Sequence, residues 1–160
     1  MIKIELTDNI DLIKEVVQNP IVFAKLFGNP TLNPKDWEPE PGFQYLKIMY
    51  NDKLMGLFPY KVKSELLLEV HIFILPKYCT KHYVHKAISK AVKWVKTNIS
   101  GVKTLMTWCP DNCLHIINFL TTLGFKPRGH IPNAVIYNQQ IAGMLIWDID
   151  LDSFNLMRSE

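Results

Sequence analysis

Histidine, cysteine and glutamate fall close together at three places in this sequence, and each place invites a different chemistry. Cys79-x-x-His82-x-x-His85 and Cys109-x-x-x-Cys113-x-His115 each offer three thiol or imidazole ligands over a short span, the donor types that zinc takes. Neither spacing matches a zinc site well and neither has a fourth ligand, so no metal is expected. No third group stands ready to orient a Cys–His pair, which argues against a thiol nucleophile and leaves packed or half-exposed thiols. The third place is Glu69-Val70-His71. Two residues apart, its carboxylate and imidazole share one face of a strand, either as groups that trade a proton or as an edge charge beside a hydrogen-bonded core histidine.

Lys81, Lys86, Lys90, Lys93 and Lys96 form a basic row. No aromatic stacking pattern interleaves it, and the net charge of +3 is small for 160 residues. The row therefore reads as a solvated helix face; nucleic acid is not an expected partner, and at most a modest preference for an anionic ligand follows. Trp94, Trp108 and Trp147 fall at core-like positions of their elements. Trp37 sits instead in a proline-rich loop, as the lip of a pocket, a partner surface or a simple loop anchor.

The elements that must position these groups follow from periodicity. Ile2, Ile4 and Leu6 alternate with charged residues as in a strand, and Thr7-Asp8-Asn9 offers caps for a helix over 10–17. Pro20 opens a second short helix that stops near Gly28, followed by a proline-rich loop from Asn29 to Gly42. Phe43 to Tyr50 and Leu54 to Val62 read as a hairpin around Asn51-Asp52-Lys53. Leu66 to Leu75 reads as one strand, apolar on both faces and so central in the sheet. Val84, Ala87, Ile88, Ala91 and Val95 recur at helical spacing. Lys103 to Trp108 is a strand; Pro110-Asp111-Asn112 starts a helix with a stripe of Ile116, Phe119, Leu120 and Leu123, ending at Gly124. Phe125 onward and Met144 to Leu151 close the sheet around a turn from Asn138 to Gly143.

With 48% apolar and 21% charged residues, the composition is that of an ordinary globular protein, and residues 1–160 fit one domain able to bury roughly two-thirds of its unfolded surface. An odd set of three cysteines points to a reducing compartment. The start Met-Ile-Lys-Ile-Glu-Leu lacks a signal peptide's pattern, and the longest apolar run, around Val70 to Pro76, is too short for a bilayer. A cytoplasmic protein without a membrane partner is expected.

The run Glu69 to Tyr78, followed by an amphipathic helix, resembles the central motif of the GNAT (GCN5-related) N-acetyltransferases. Leu105 to Pro110, Asn112 and the stretch Asn118 to Gly129 with its Leu123-Gly124-Phe125 resemble that family's later strand, Asn-led helix and closing segment, so the likeness covers about residues 43–150. It implies an α+β fold, α/β/α-layered, with a mixed and mostly antiparallel sheet flanked by helices. Leu66 to Leu75 would run parallel to Lys103 to Trp108, with a right-handed crossover through a helix from about His82 to Asn98.

The resemblance also implies acetyl-CoA as cosubstrate and a primary amine as acceptor. Free backbone groups along Phe73, Ile74 and Leu75 would pair with its pantetheine arm, and the amides of Thr80, Lys81, His82, Tyr83 and Val84 would meet its phosphates. The family's loop carries glycines where this chain has Thr80, His82 and Val84; cationic contacts from Lys81, His82 and Lys86 would replace part of the cradle. Glu69 and His71 are the implied catalytic pair, and Asn112 is an implied cofactor contact or a helix cap. The family's tyrosine position holds Leu120, so a proton for the leaving thiolate would come from Tyr83, Tyr137 or water. The sequence is also similar to GNAT-like proteins of tailed bacteriophages, which implies the alternative of a non-catalytic, virion-associated or assembly domain whose partner is another protein or a second copy.

Overall fold

A computed structural model describes residues 1–154; the last six residues of the expected 1–160 domain lie outside the described residues. The chain folds as β1 (Ile2–Thr7), α1 (Ile10–Val17), α2 (Pro20–Phe27), β2 (Phe43–Tyr50), β3 (Lys53–Ser64), β4 (Leu67–Val70), β5 (Phe73–Ile74), α3 (Lys81–Asn98), β6 (Thr104–Pro110), α4 (Leu114–Thr122), β7 (Lys126–Tyr137) and β8 (Gln140–Asp150). Short 3-10 turns cover Pro34–Asp36 and Pro76–Tyr78. The strands form one sheet in the order β1-β2-β3-β4-β6-β8-β7, with β5 paired to β3. Every pairing is antiparallel except β4 with β6. That parallel pair requires the crossover that α3 supplies.

Local chemistry sets the helix ends. The Asn9 side chain accepts a hydrogen bond from the Leu12 amide at 3.0 Å, and Asn19 caps α2, with Pro20 in its first turn. Adjacent residues of β2 then divide the core between the sheet's two faces. Leu46 and Ile48 pack with Ala87, Ala91, Val95 and Leu120 of α3 and α4. Tyr45 packs with Ile13, Val16, Val17 and Phe23 of α1 and α2. Successive strand residues point to opposite faces, so the two clusters make the α/β/α layering.

Four boundaries differ from the sequence-based expectation. Leu66 to Leu75 is two strands, interrupted at His71-Ile72. Both halves keep one register on β3, since Val70 pairs with Tyr60 and Phe73 with Leu57. Pro59 lies between, opposite His71: its carbonyl accepts the His71 amide at 3.0 Å, but proline has no N–H to return the bond. The parallel strand runs two residues further than Trp108, to Pro110, and α4 begins at Leu114 with Cys113 at its N-cap, so Asn112 is neither a helical residue nor a cap. Finally, the β7–β8 turn is only Asn138-Gln139, both at positive φ (50° and 62°), rather than a loop to Gly143. A two-residue turn with both φ positive matches the twist of the strands it joins, and β8 starts earlier as a result.

Candidate active site

The ladder between β4 and β6 ends at Glu69 opposite Met106. Beyond that point β5 pairs with β3 and the rest of β6 pairs with β8, so the neighbouring strands splay. A cavity of about 560 Å³ opens between them, with Phe73 and Ile74 on one wall and Thr107, Trp108 and Cys109 on the other. It reaches Thr80, Lys81 and Val84 at the start of α3. No side chain caps this helix: Thr80 holds the N-cap position without bonding the amides of the first turn. Such a terminus presents free N–H groups and the positive end of the helix dipole to an anion.

Glu69 and His71 both line the cavity. A carboxylate only accepts, so His71 donates from Nε2 to Glu69 Oε1, at 3.0 Å. Lys63 Nζ lies 3.4 Å from the other carboxylate oxygen. With its side chain 12% exposed, Glu69 would be costly to ionise alone. The hydrogen bond from His71 outweighs that burial, and with the charges of His71 and Lys63 it holds the carboxyl down at about 2. In the neutral imidazole Nδ1 keeps a lone pair; the Thr107 hydroxyl is 3.5 Å away, long for an O–H donor. The imidazole is held in place by Phe43 (centroids 5.9 Å apart), Phe73 (6.4 Å, stacked) and the edge-on Trp108 (5.7 Å).

The depressed Glu69 pKa carries a pH signature. A carboxyl whose pKa falls on folding contributes stability that is present above its unfolded pKa and lost as pH drops through the folded one. Between pH 4.5 and about 2, the wild type is therefore expected to lose more stability than Glu69→Gln. Urea melts at pH 6, 4 and 3 measure this; parallel losses in the two proteins would show that the pair adds nothing to folding.

Of the expected site residues, Glu69, His71, Phe73, Ile74, Thr80, Lys81 and Val84 come together on the cavity. Four expected contacts do not line it. Leu75 packs against both core clusters, and His82 is exposed with its ring against Tyr83. Tyr83 packs edge-on against Tyr50 and Tyr78; Asn112 is exposed in the turn before α4. Tyr137 is buried beneath Cys113, its hydroxyl 3.4 Å from Sγ, and burial raises it well above the usual tyrosine range. Neither alternative tyrosine thus reaches the cavity, and Leu120 is core.

Among the described residues no group of three His, Cys, Asp or Glu is arranged to hold a metal. His85, from the first triplet, is buried with both ring nitrogens unpartnered and Phe119 edge-on at 5.2 Å; burial, then the charge of Lys81, lowers its pKa. Cys109 is buried and pushed up to about 11, an inert thiol. Sequence reading missed Thr107 and Phe43, and it took Trp108 for simple packing. Alternation along 104–109 puts Thr107 and Cys109 on one face and was the available signal; which face meets the cleft depends on the splay.

The fold is that of the GNAT acyltransferases. The crystal structure of spermidine N-acetyltransferase from Vibrio cholerae in complex with CoA and spermine superposes with a TM-score of 0.77 at 15% identity, over 96% of this chain and 97% of that one. A point mutant of the Vibrio cholerae spermidine N-acetyltransferase SpeG gives 0.74 at 15% identity, over 99% and 98%. Within this fold, the chain belongs to the family described as Protein of unknown function (DUF2824), whose profile matches residues 2–157. No curated protein matches the sequence. Among the described residues no helix is long and apolar enough to cross a membrane.

Proposed function

We propose that this chain is an acetyl-CoA-dependent N-acetyltransferase that acetylates a primary amine. One observation carries the reading: an open ladder between β5 and β6 leads from the Glu69–His71 pair to the uncapped start of α3. The residues present fit the cosubstrate. The side of β5 turned away from its ladder with β3 suits an amide-bearing arm, and the first-turn amides with Lys81 suit phosphate. Acetyl-CoA, when bound, supplies the activated acetyl group. Glu69 fixes the His71 ring with Nε2 protonated, and Nδ1 takes the proton that the acceptor ammonium must shed before it can attack. Glu69, ionised down to about pH 2, is too weak a base for that task and acts as the positioning residue. Water replaces the tyrosine that returns a proton in the family pattern.

A second reading, a non-catalytic assembly domain, is favoured by Leu120 at the tyrosine position and by the Val84 side chain on the cavity where the family pattern has a small residue. Acetyl-CoA separates the two. At a hundred times its dissociation constant it should stabilise the fold by about 2.7 kcal/mol, a rise of about 5–10 °C in melting temperature for a chain of this size. No rise at millimolar acetyl-CoA leaves the assembly reading in place.

A further inference from the structure

The cavity does not end at the proton-transfer pair. Past His71 it continues between α2 and the proline-rich segment, where Phe27, Trp37 and Phe43 form an aromatic wall with Leu26 and Val22. Trp37, placed in a loop by sequence, packs here with the α1–α2 layer. The charges on this side are unusual for an amine site. Two carboxylates line the cavity, and both are already paired: Glu40 with Lys61 at 3.0 Å, and Glu69 with His71 and Lys63. Lys25 of α2 also lines it and makes no salt bridge among the described residues; Lys81 lies at the other end, at the start of α3.

We infer that the acceptor is a monoamine with an aromatic or bulky apolar body and no second cationic group; this rests on the acetyltransferase reading above. A polyamine would bring a further ammonium into a chamber whose carboxylates are already paired and whose remaining charge, the exposed Lys25, is positive, so it finds no free anion and meets a solvent-screened repulsion that is strongest at low salt. An aryl body instead gains offset or edge-on contact with Trp37 and Phe27 while leaving no polar group unpaired.

The test measures binding and turnover separately, using 2-phenylethylamine, ethylamine and spermidine as probes. In calorimetry at low salt, 2-phenylethylamine is expected to bind at least about tenfold more tightly than either of the others, the scale of one aromatic contact. Trp37→Ala should abolish that margin, while a retained cooperative melt, at a lower temperature because Trp37 packs on the α1–α2 layer, and a retained melting shift with acetyl-CoA verify the fold. Lys25→Glu, a surface change on α2, should raise spermidine affinity about threefold or more by supplying the missing anion. The inference is overturned if spermidine binds as tightly as the aryl amine, if ethylamine equals it, or if no amine binds. Thiol release from acetyl-CoA distinguishes this failure from that of the underlying reading. Release with spermidine preferred keeps the transferase and removes the acceptor class; aryl-amine binding without release removes the transferase and keeps the cavity's preference.

Discussion

Replacing His71 by glutamine is expected to lower turnover by about 10²–10⁴-fold, the usual contribution of a positioned general base, while the melting shift given by acetyl-CoA persists. Glutamine can still donate to Glu69 through its amide, so the carboxylate does not become an unpaired buried charge. What it lacks is a basic lone pair where Nδ1 stands. In the wild type the hydrogen bond from His71 holds Glu69 at about 2; in the variant the glutamine amide and Lys63 still favour the carboxylate, so it remains a poor substitute as base. Glu69→Gln should therefore cost less than His71→Gln, its effect coming from a ring no longer held in one tautomer. The comparison requires single-turnover rates for wild type, His71→Gln and Glu69→Gln under one set of conditions, with acetyl-CoA binding measured alongside. Equal kcat in wild type and His71→Gln would transfer the role of base elsewhere.

Gly56→Ala is expected to destabilise the fold by about 3 kcal/mol, at the upper end of what inserting a single methyl into packed structure costs. Gly56 lies in β3 opposite Ile74. A Cβ there would sit 2.1 Å from the Phe73 carbonyl oxygen and 3.0 Å from Ile74 Cα. Those are backbone atoms, so no rotamer change relieves the clash, and β5 must move off β3. Strand β5 has only two residues, and it carries Phe73 and Ile74 of the cavity wall into the turn that starts α3. The melting temperature should fall by about 6–12 °C, and acetyl-CoA should stabilise the variant less than wild type because the cleft is displaced. A melting temperature within about 2 °C of wild type would mean that β5 relocates without cost, contrary to the close-packed geometry.

The splay at the centre of both predictions was only half legible in the chain. Hydrophobic period marks β1, α1 and α3, and Pro20, Gly28 and the turn Asn51-Asp52-Lys53 mark α2 and the β2–β3 hairpin, all signals within one segment: Val84 to Val95 must lie on one stripe whatever they pack against. Asn9, Asn19 and Gly28 likewise terminate helices through their own neighbours. The break between Val70 and Phe73 is different in kind. Read along its own strand, 66–75 is uninterrupted; the interruption comes from Pro59, twelve residues earlier, which pairing in register brings opposite His71. Glu69 and His71 could be named from type and alternation. Their division of labour could not, because it depends on Lys63 and Thr107 arriving from β3 and β6. Tyr83, His82 and Asn112 fail as cavity residues for the same reason: the turn into a helix decides which side of it a residue presents, and local period does not report that turn. The acceptor chamber is further still from the sequence, since Phe27, Trp37 and Phe43 become one wall only when α2 and the proline-rich segment close over the sheet edge that Pro59 opens.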